Sequence, residues 1–366
     1  MERDPTAMAD TPLIRSIRPR AVNAPIARPV RTASGALESA PLLLIDVETD
    51  QGVTGRAYVM GYTVATLEPM RAFLANIEAM VAGQPVAPAD RAAAFEAAFR
   101  LLGRQGLVGM ALSGLDMALW DALGKAQGVP VVELLGGTAR PLDAYDSYGL
   151  VDPTADADAL EHSIDLGFRG IKIKLGDGDL ARDVETVAGV REIIGDEIAL
   201  MVDYNQSLTA PETIRRIDRL AEFDLHWLEE PVPAEDWNAH SEVRAASTVP
   251  VQTGENWWFT ADMSKAIAEG ACDFAMPDLM KIGGITGWLS AMGVAHAAGI
   301  PVSSHLFIEA SAHVLAVTPT AHWLEYLDIA SAVLTEPFEV DDGGVTARGP
   351  GLGMEWDEDA VRKYGL

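Results

Sequence analysis

The chain has 366 residues, of which 49% are apolar and 22% are charged, a composition typical of a soluble protein with a large buried core. Its 54 acidic residues outnumber 27 basic ones and give a formal net charge of −27, which argues against binding to nucleic acid or to an anionic membrane. The single cysteine, Cys272, excludes an internal disulfide framework and a cysteine-rich metal site.

The sequence begins with MERDPTAMADTPLIR, which carries acidic residues and lacks the apolar stretch of a signal peptide. No uninterrupted apolar segment approaches the roughly 18 residues that a membrane-spanning helix needs. We therefore expect a cytoplasmic protein in a reducing compartment.

The first part of the chain has strand patterns followed by helical patterns. The strand patterns are SIRPRAVNA, PLLLIDVETD and VTGRAYVMGY, and the helical ones include LEPMRAFLANIEAM, RAAAFEAAFR and MALSGLDMALWDALGKAQG. Strands followed by helices predict a separate α+β domain, which we assign to residues 1–135.

From about residue 136 short apolar runs alternate with helical patterns. The runs are PLDAYDSYG, GIKIKLG, IALMVDYN, HWLEEP, VPVQTGE, CDFAMPD, IPVSSHL and HWLEYLD. Parallel strands in such β/α units can close into a barrel, predicted for residues 136–335. Residues 336–366 break into turn patterns and are predicted to pack back on the first domain.

Polar or ionisable residues stand at the carboxyl end of every predicted strand. In a parallel barrel these ends share one face, which is where active sites lie. One such residue alone has ordinary structural explanations, but a complete ring of them indicates a site. In strand order they are Ser147, Lys172 with Lys174, Asp203 with Asn205, Glu229 with Glu230, Glu255, Asp278, His305 and Glu325.

Lys172 and Lys174 lie on the apolar run GIKIKLG. Residues two apart share a strand face, so both ammonium groups are predicted to point into the barrel. The alternative is a pair of exposed lysines on an edge strand. Two close cations and partial burial would lower the pKa of each lysine from about 10.4 and make it a usable base.

Asp203, Glu229 and Glu255 end successive strands and form a set of hard oxygen ligands. Such a set is suited to Mg²⁺ rather than to Zn²⁺. Glu229 and its neighbour Glu230 are predicted to point to opposite faces, and we assign Glu229 as the ligand because Glu230 would then be directed away from the barrel interior.

Asp278 and His305 end neighbouring strands, within reach of a carboxylate–imidazole hydrogen bond that would orient the ring and raise its basicity. Burial of Glu325 would keep that carboxyl group protonated as a hydrogen-bond donor. Lys174 and His305 lie on roughly opposite sides of the barrel. Two bases on opposite faces of one α-carbon predict racemisation or epimerisation of a carboxylate through a metal-stabilised enediolate.

The motifs IKIKLG, MVDYNQS, WLEEP, TGENWW, MPDLMKIGG, SSHLF and HWLE together resemble the mandelate racemase subgroup of the enolase superfamily. The resemblance extends over nearly the whole chain. It implies an amino-terminal capping domain, a modified TIM barrel of the (β/α)₇β type, and homo-oligomers, commonly octamers.

The same resemblance implies site roles. Mg²⁺ would be bound by Asp203, Glu229 and Glu255, and Glu325 would be the electrophilic acid. Lys174 would be the base for one enantiomer and His305 with Asp278 the base for the other. Lys172 would bind the substrate carboxylate and tune Lys174, with Ser147, Asn205 and Lys281 as supporting contacts.

In the resembling family a loop of the capping domain closes over the site. The corresponding segment, residues 29–39, contributes Val30 and Leu37, and Tyr62 is a further candidate wall residue. Apolar walls favour an aryl side group, because sugar hydroxyls would lack partners there. We therefore predict a racemase of a mandelate-like 2-hydroxy carboxylate. The alternatives are an acid-sugar dehydratase of the same superfamily and a non-catalytic acidic scaffold.

Overall fold

The amino-terminal part of the chain is an antiparallel sheet covered by helices. The computed structural model describes residues 11–32, 35–176 and 178–366. The strands pair in the order β1–β2–β3. They are β1 (Ile14–Thr32), β2 (Gly35–Thr49) and β3 (Thr54–Met60), followed by α1 (Leu67–Val81), α2 (Pro88–Ala98), α3 (Leu107–Gln127) and α4 (Val131–Leu134).

Helix α3 is the central helix of this part of the chain. It packs against the sheet so closely that a Cβ atom at Gly114 would come within 2.5 Å of Ile45 on β2 and within 2.8 Å of Val59 on β3. It ends where Gly128 adopts the left-handed conformation, with φ of 71°. Among the described residues, α3 is the one helix long and apolar enough to cross a membrane, and 78% of its most apolar window is buried inside the protein.

The predicted loop at residues 29–39 is a hairpin rather than an irregular loop. Strands β1 and β2 continue into it, and Val30 pairs with Leu37 while Thr32 pairs with Gly35. Positions 33 and 34 lie outside the described residues. The cross-strand pairing of β-branched and apolar residues explains why the strands are longer than their sequence patterns suggested.

The following part is a parallel barrel. Its strands pair in the order β10–β4–β5–β6–β7–β8–β9. Val302 bridges to Ala275 on one side and to Ala321 on the other, and Asp278 bridges to His305, which closes the ring. The strands are β4 (Pro141–Leu150), β5 (Gly170–Lys174), β6 (Ala199–Asp203), β7 (Leu225–Glu229), β8 (Val251–Thr253), β9 (Phe274–Ala275) and β10 (Leu324–Tyr326).

Helices between the strands cover the outside of the barrel. Ile171 and Ile173 on β5 are fully buried in an outer apolar cluster, as the alternation of that strand predicts. The predicted barrel with a capping domain is thereby confirmed. The helices are α5 (Ala157–Asp165), α6 (Leu180–Ile194), α7 (Ala210–Leu220), α8 (Trp237–Ala246), α9 (Phe259–Ala268), α10 (Leu279–Ile282), α11 (Gly284–Ala298) and α12 (Ile308–Ala316).

The carboxyl-terminal segment lies against both parts of the chain. Strand β11 (Gly344–Thr346) pairs antiparallel with β4, and α13 (Glu358–Tyr364) follows it. Trp356 donates a hydrogen bond to Asp46 at 2.6 Å, and Arg20 forms an ion pair with Glu358 at 2.6 Å. These contacts join the segment to the first sheet.

Two histidines meet at the amino-terminal end of the barrel, opposite the predicted site. The Nε2 atoms of His226 and His322 are 3.3 Å apart, and Trp323 donates its indole N–H to His226 at 3.1 Å. Burial lowers the pKa of both imidazoles, that of His322 to about 4 with a further contribution from His226. Both rings are therefore neutral in the folded protein near pH 7.

This pair predicts a loss of stability in mild acid. A base whose pKa falls on folding stabilises the fold above its unfolded pKa of about 6.5, and this contribution is lost as the pH falls. Between pH 7 and pH 5 the free energy of unfolding should fall by about 2 kcal/mol more in the wild type than in His322→Gln. Urea unfolding at both pH values measures this, and the exposed His296→Gln is the control. Identical pH dependence in the wild type and His322→Gln would contradict it.

Candidate active site

Three carboxylates gather at the carboxyl ends of β6, β7 and β8. Asp203 and Glu229 are the last residues of their strands, and Glu255 follows Gly254 after β8. One oxygen from each lies within 4.8 Å of the other two. Parallel pairing aligns Asp203 with Glu229 in register, which explains why residues so far apart in sequence converge.

The electrostatics of these carboxylates fit a bound cation. Burial and the neighbouring anions raise the pKa of Glu229 to about 8, although Lys172 opposes the shift. The pKa of Glu255 is lowered, because His305 and Lys281 outweigh its burial. Hard oxygen ligands of this number and charge suit Mg²⁺, whose charge would relieve the repulsion among them.

Lys172 lies beneath this group, between two carboxylates. Its Nζ is 2.5 Å from Glu229 and 2.7 Å from Glu325. Burial alone would lower the pKa of Lys172, but the two carboxylates outweigh burial and raise it well above its usual value. The pKa of Glu325 falls to about 2, because Lys172 and His305 outweigh its burial. Both groups are therefore charged in this structure.

Lys174 is on the same face of β5, nearer the open end of the barrel. Its Nζ is 2.6 Å from Asp203 and 2.6 Å from the side-chain oxygen of Asn205. Asn205 adopts a left-handed backbone with φ of 42° and donates its own N–H to Asp203. Burial lowers the pKa of Lys174, but Asp203 outweighs this and the net shift is upward.

His305 lies on the other side of the three carboxylates. Its Nδ1 is 2.6 Å from Asp278, and its Nε2 is 3.2 Å from Glu255 and 3.9 Å from Glu325. Burial lowers its pKa, but the carboxylates of Glu255, Glu325 and Asp278 outweigh burial and raise it to about 9. The predicted Asp278–His305 hydrogen bond is present.

Two sequence-based expectations about ionisation are wrong for this structure. The pKa values of Lys172 and Lys174 are raised rather than lowered, because the nearby carboxylates outweigh the repulsion between the two ammonium groups. Glu325 is ionised rather than protonated, because an ammonium group lies 2.7 Å away. In both cases the direction of the pKa shift is set by the distance to charges on other strands.

The interpretation that Glu230 is directed away from the site is also wrong. Its φ of 32° ends the alternation of β7, and its buried carboxylate accepts a hydrogen bond from Asn256 at 2.7 Å. Burial and the charge of Glu255 raise its pKa to about 8. Asn256 in turn accepts from Lys281 at 2.6 Å. Asn256 was not among the residues predicted from the sequence. Its position directly after the predicted ligand Glu255 was the sequence feature that could have indicated its place in the site.

The remaining predicted residues surround this centre at different distances. Ser147 on β4 is buried and pairs in register with Lys172. The ring centroid of Tyr62 is 5.2 Å from the Nζ of Lys281. Although Tyr62 is 47% exposed, desolvation by the surrounding site and the carboxylates of Asp278 and Glu255 raise its pKa. The capping-domain tyrosine therefore lies over the site.

Val30 and Leu37 are less directly placed. Val30 lines a cavity of about 290 Å³ together with Tyr148 and Leu150, at the carboxyl end of β4. Leu37 packs against the main apolar core. The structure thus puts the hairpin beside the first barrel strand, and its role in substrate selection stays a prediction.

Lys174 and His305 therefore flank the carboxylate group from two sides. Lys174 contacts Asp203 at one end of the group, and His305 contacts Glu255 at the other. A substrate carboxylate bound between them would have one proton-transferring group on each side. The arrangement can remove or deliver a proton at a carbon adjacent to a carboxylate.

Comparisons with known proteins identify the family. The model for the mandelate racemase/muconate lactonizing enzyme N-terminal domain matches residues 14–136, and the model for the enolase C-terminal domain-like family matches residues 155–360. Among solved structures, an enolase from Bradyrhizobium complexed with magnesium and mandelic acid is 57% identical with a TM-score of 0.97, covering 98% of this chain and 100% of that one.

Curated relatives include a dehydratase and a cycloisomerase of sugar acids. The L-talarate/galactarate dehydratase of Salmonella typhimurium is 33% identical over 71% of this chain and 67% of its own length. The D-galactarolactone cycloisomerase of Agrobacterium fabrum is 32% identical over 96% of this chain and 98% of its own length. The predicted Mg²⁺ cofactor is confirmed, because similar solved structures contain bound magnesium. This chain belongs to the mandelate racemase/muconate lactonizing enzyme family of the enolase superfamily.

Proposed function

We propose that the protein is a Mg²⁺-dependent enzyme that removes the α-proton of a 2-hydroxy carboxylate, and that its reaction is the dehydration of an acid sugar. The observation that carries the proposal is the placement of Lys174 and His305 on two sides of the carboxylate group. Removal of an α-proton is the step common to dehydration and racemisation of such acids.

Each residue has a role in this proposal. Mg²⁺ held by Asp203, Glu229 and Glu255 would neutralise the substrate carboxylate and thereby acidify the α-proton. Lys172 would bind the same carboxylate, and Glu325 would hold Lys172 in place through their ion pair. Lys174 exchanges a proton on one face of the α-carbon and His305, oriented by Asp278, on the other. Ser147, Asn205 and Lys281 provide supporting contacts, the last through Asn256.

The contacts of His305 suit a general acid for dehydration. Asp278 lies 2.6 Å from its Nδ1 and is not one of the three proposed metal ligands, so it can stabilise the imidazolium form that donates a proton to a departing hydroxyl group. A cation bound at Asp203 would offset the carboxylate charge that raises the pKa of Lys174, so Lys174 would accept the proton as the C2–H bond breaks. The C3–O bond would break with release of water. The resulting enol rearranges to a 2-keto-3-deoxy acid. The similarity to the L-talarate/galactarate dehydratase supports this outcome.

Racemisation of a mandelate-like acid is the second candidate. It is favoured by the similarity to the Bradyrhizobium enolase, which was solved with mandelic acid. A substrate without a β-hydroxyl group has nothing to eliminate, so the proton would return to the opposite face. The apolar residues Val30 and Leu37 fit this candidate if the hairpin reaches the side group.

An exchange assay in D₂O distinguishes the outcomes. Acid sugars and both enantiomers of mandelate are incubated with the Mg²⁺-loaded protein, and α-proton loss is followed by proton NMR. We expect at least one acid sugar to give a 2-keto-3-deoxy product. Interconversion of mandelate enantiomers without a keto product would instead establish the second candidate. Absence of exchange in every acid tested would overturn the proposal.

The same assay tests the hairpin. Val30→Ala should weaken the binding of aryl acids about tenfold more than the binding of acid sugars, because the lost contacts are apolar.

Location and assembly stay predictions from the sequence. The single cysteine fits a reducing compartment, and we propose a cytoplasmic protein. The family resemblance predicts a homo-oligomer, with an octamer as the expected form.

A further inference from the structure

A buried hydrogen bond joins the capping domain to the segment that follows His305. Tyr58 on β3 donates its hydroxyl group to the carboxylate of Glu309 at 2.7 Å, and each residue is only 3% exposed. Glu309 is in the first turn of α12 and also accepts from its own backbone N–H. Burying a carboxylate with a phenol as its side-chain partner costs free energy of folding, which indicates that the contact has a role beyond stability.

The segment between His305 and Glu309 has an unusual backbone. Leu306 and Phe307 are consecutive non-glycine residues with φ of 52° and 50°, in the left-handed region. Such conformations persist only when their surroundings hold them, and they concentrate at functional sites. The ring of Phe307 is 5.3 Å from that of Tyr58, and Leu306 donates its N–H to Glu325 at 2.9 Å.

We propose that Tyr58 and Glu309 form a positioning pair that holds the Leu306–Phe307 turn and, through it, the imidazole of His305. The inference rests on the proposed function, because it assigns the pair to one of the two proton-transferring groups. Asp278 fixes the orientation of the ring at Nδ1, but the backbone from which the ring extends is set by this turn. Burial raises the pKa of Glu309 to about 7, in keeping with a group held for its position.

The pair is expected to act on one base only. Lys174 is on the regular strand β5, and its contacts are with Asp203 and Asn205, on the other side of the site. A small displacement of a catalytic group lowers its rate steeply, by up to about 100-fold for 1 Å. Loss of the hydrogen bond should therefore slow proton transfer by His305 and leave transfer by Lys174 unchanged.

Single-base backgrounds test this separation. In Lys174→Ala the remaining α-proton exchange depends on His305, and adding Tyr58→Phe should lower it by about tenfold. In His305→Asn the remaining exchange depends on Lys174, and the same substitution should not change it. Tyr58→Phe keeps the ring against Phe307 and removes only the donor. Glu309→Met should repeat the effect, whereas Glu309→Gln keeps an acceptor oxygen and should retain the parental rate.

Thr318→Val is the matched control. The Thr318 hydroxyl is also buried, accepts from Trp288 at 3.0 Å and lies just beyond the other end of α12. Its loss should lower the melting temperature without a difference between the two backgrounds. Equal losses in both backgrounds on Tyr58→Phe would overturn the inference and leave the pair a purely structural contact. Failure of the parental backgrounds to exchange any acid that the wild type exchanges would overturn the two-base proposal itself.

Discussion

His305→Asn is expected to lower, by about 10³-fold or more, the exchange of the α-proton that faces His305, while the opposite face remains active. General acid–base catalysis by a positioned group contributes about 10²–10⁴-fold, and asparagine cannot exchange a proton in this range. The epimer whose α-proton faces Lys174 should still exchange, because Lys174 and Asp203 are untouched. Proton NMR in D₂O on separate C-2 epimers measures both rates.

Companion variants sharpen this prediction. Lys174→Ala should show the reverse preference, and Asp278→Asn should resemble His305→Asn because the ring loses the carboxylate at 2.6 Å. Lys172→Ala should depress both directions, since its contacts with Glu229 and Glu325 serve the shared site. Equal exchange of both epimers by His305→Asn, or of neither, would show that one base per face is the wrong assignment.

Glu255→Gln is expected to lose Mg²⁺ binding and to reduce turnover by about 10³-fold, equivalent to about 4 kcal/mol of transition-state stabilisation. The amide provides a neutral oxygen in place of a charged ligand, so the charge of the three-carboxylate group falls by a third. Removal of divalent ions with a chelator should abolish wild-type activity, and Mg²⁺ should restore it.

Thermal unfolding with and without Mg²⁺ provides a readout that does not depend on turnover. Ligand binding to the folded state raises the melting temperature, so the wild type should show a Mg²⁺-dependent increase that Glu255→Gln lacks. Glu269→Gln removes one exposed negative charge and should behave as the wild type. Full activity in excess chelator, or an unchanged thermal response in Glu255→Gln, would rule out the proposed ligand set.

Local patterns in the sequence were sufficient for much of the architecture and for the members of the central site. The alternation in GIKIKLG predicts which side chains of β5 enter the barrel, and Lys172 and Lys174 do enter it. Because parallel strands align their carboxyl ends, polar residues after successive strands predict a cluster, and Asp203, Glu229 and Glu255 form one. Such predictions succeed where one repeating geometry relates neighbouring residues.

The tertiary structure alone decided the features that depend on distances between separate strands or on breaks in the repeat. Glu230 turns back towards the site because its φ of 32° ends the alternation of β7. The ionisation of Glu325 depends on an ammonium group 2.7 Å away that belongs to β5. Tyr58 and Glu309 are 251 positions apart, and no local pattern indicates their contact. The sequence by itself thus determined which chemical groups surround the site, whereas packing between distant segments determined their charge and orientation, since pKa shifts and hydrogen bonds depend on through-space distances.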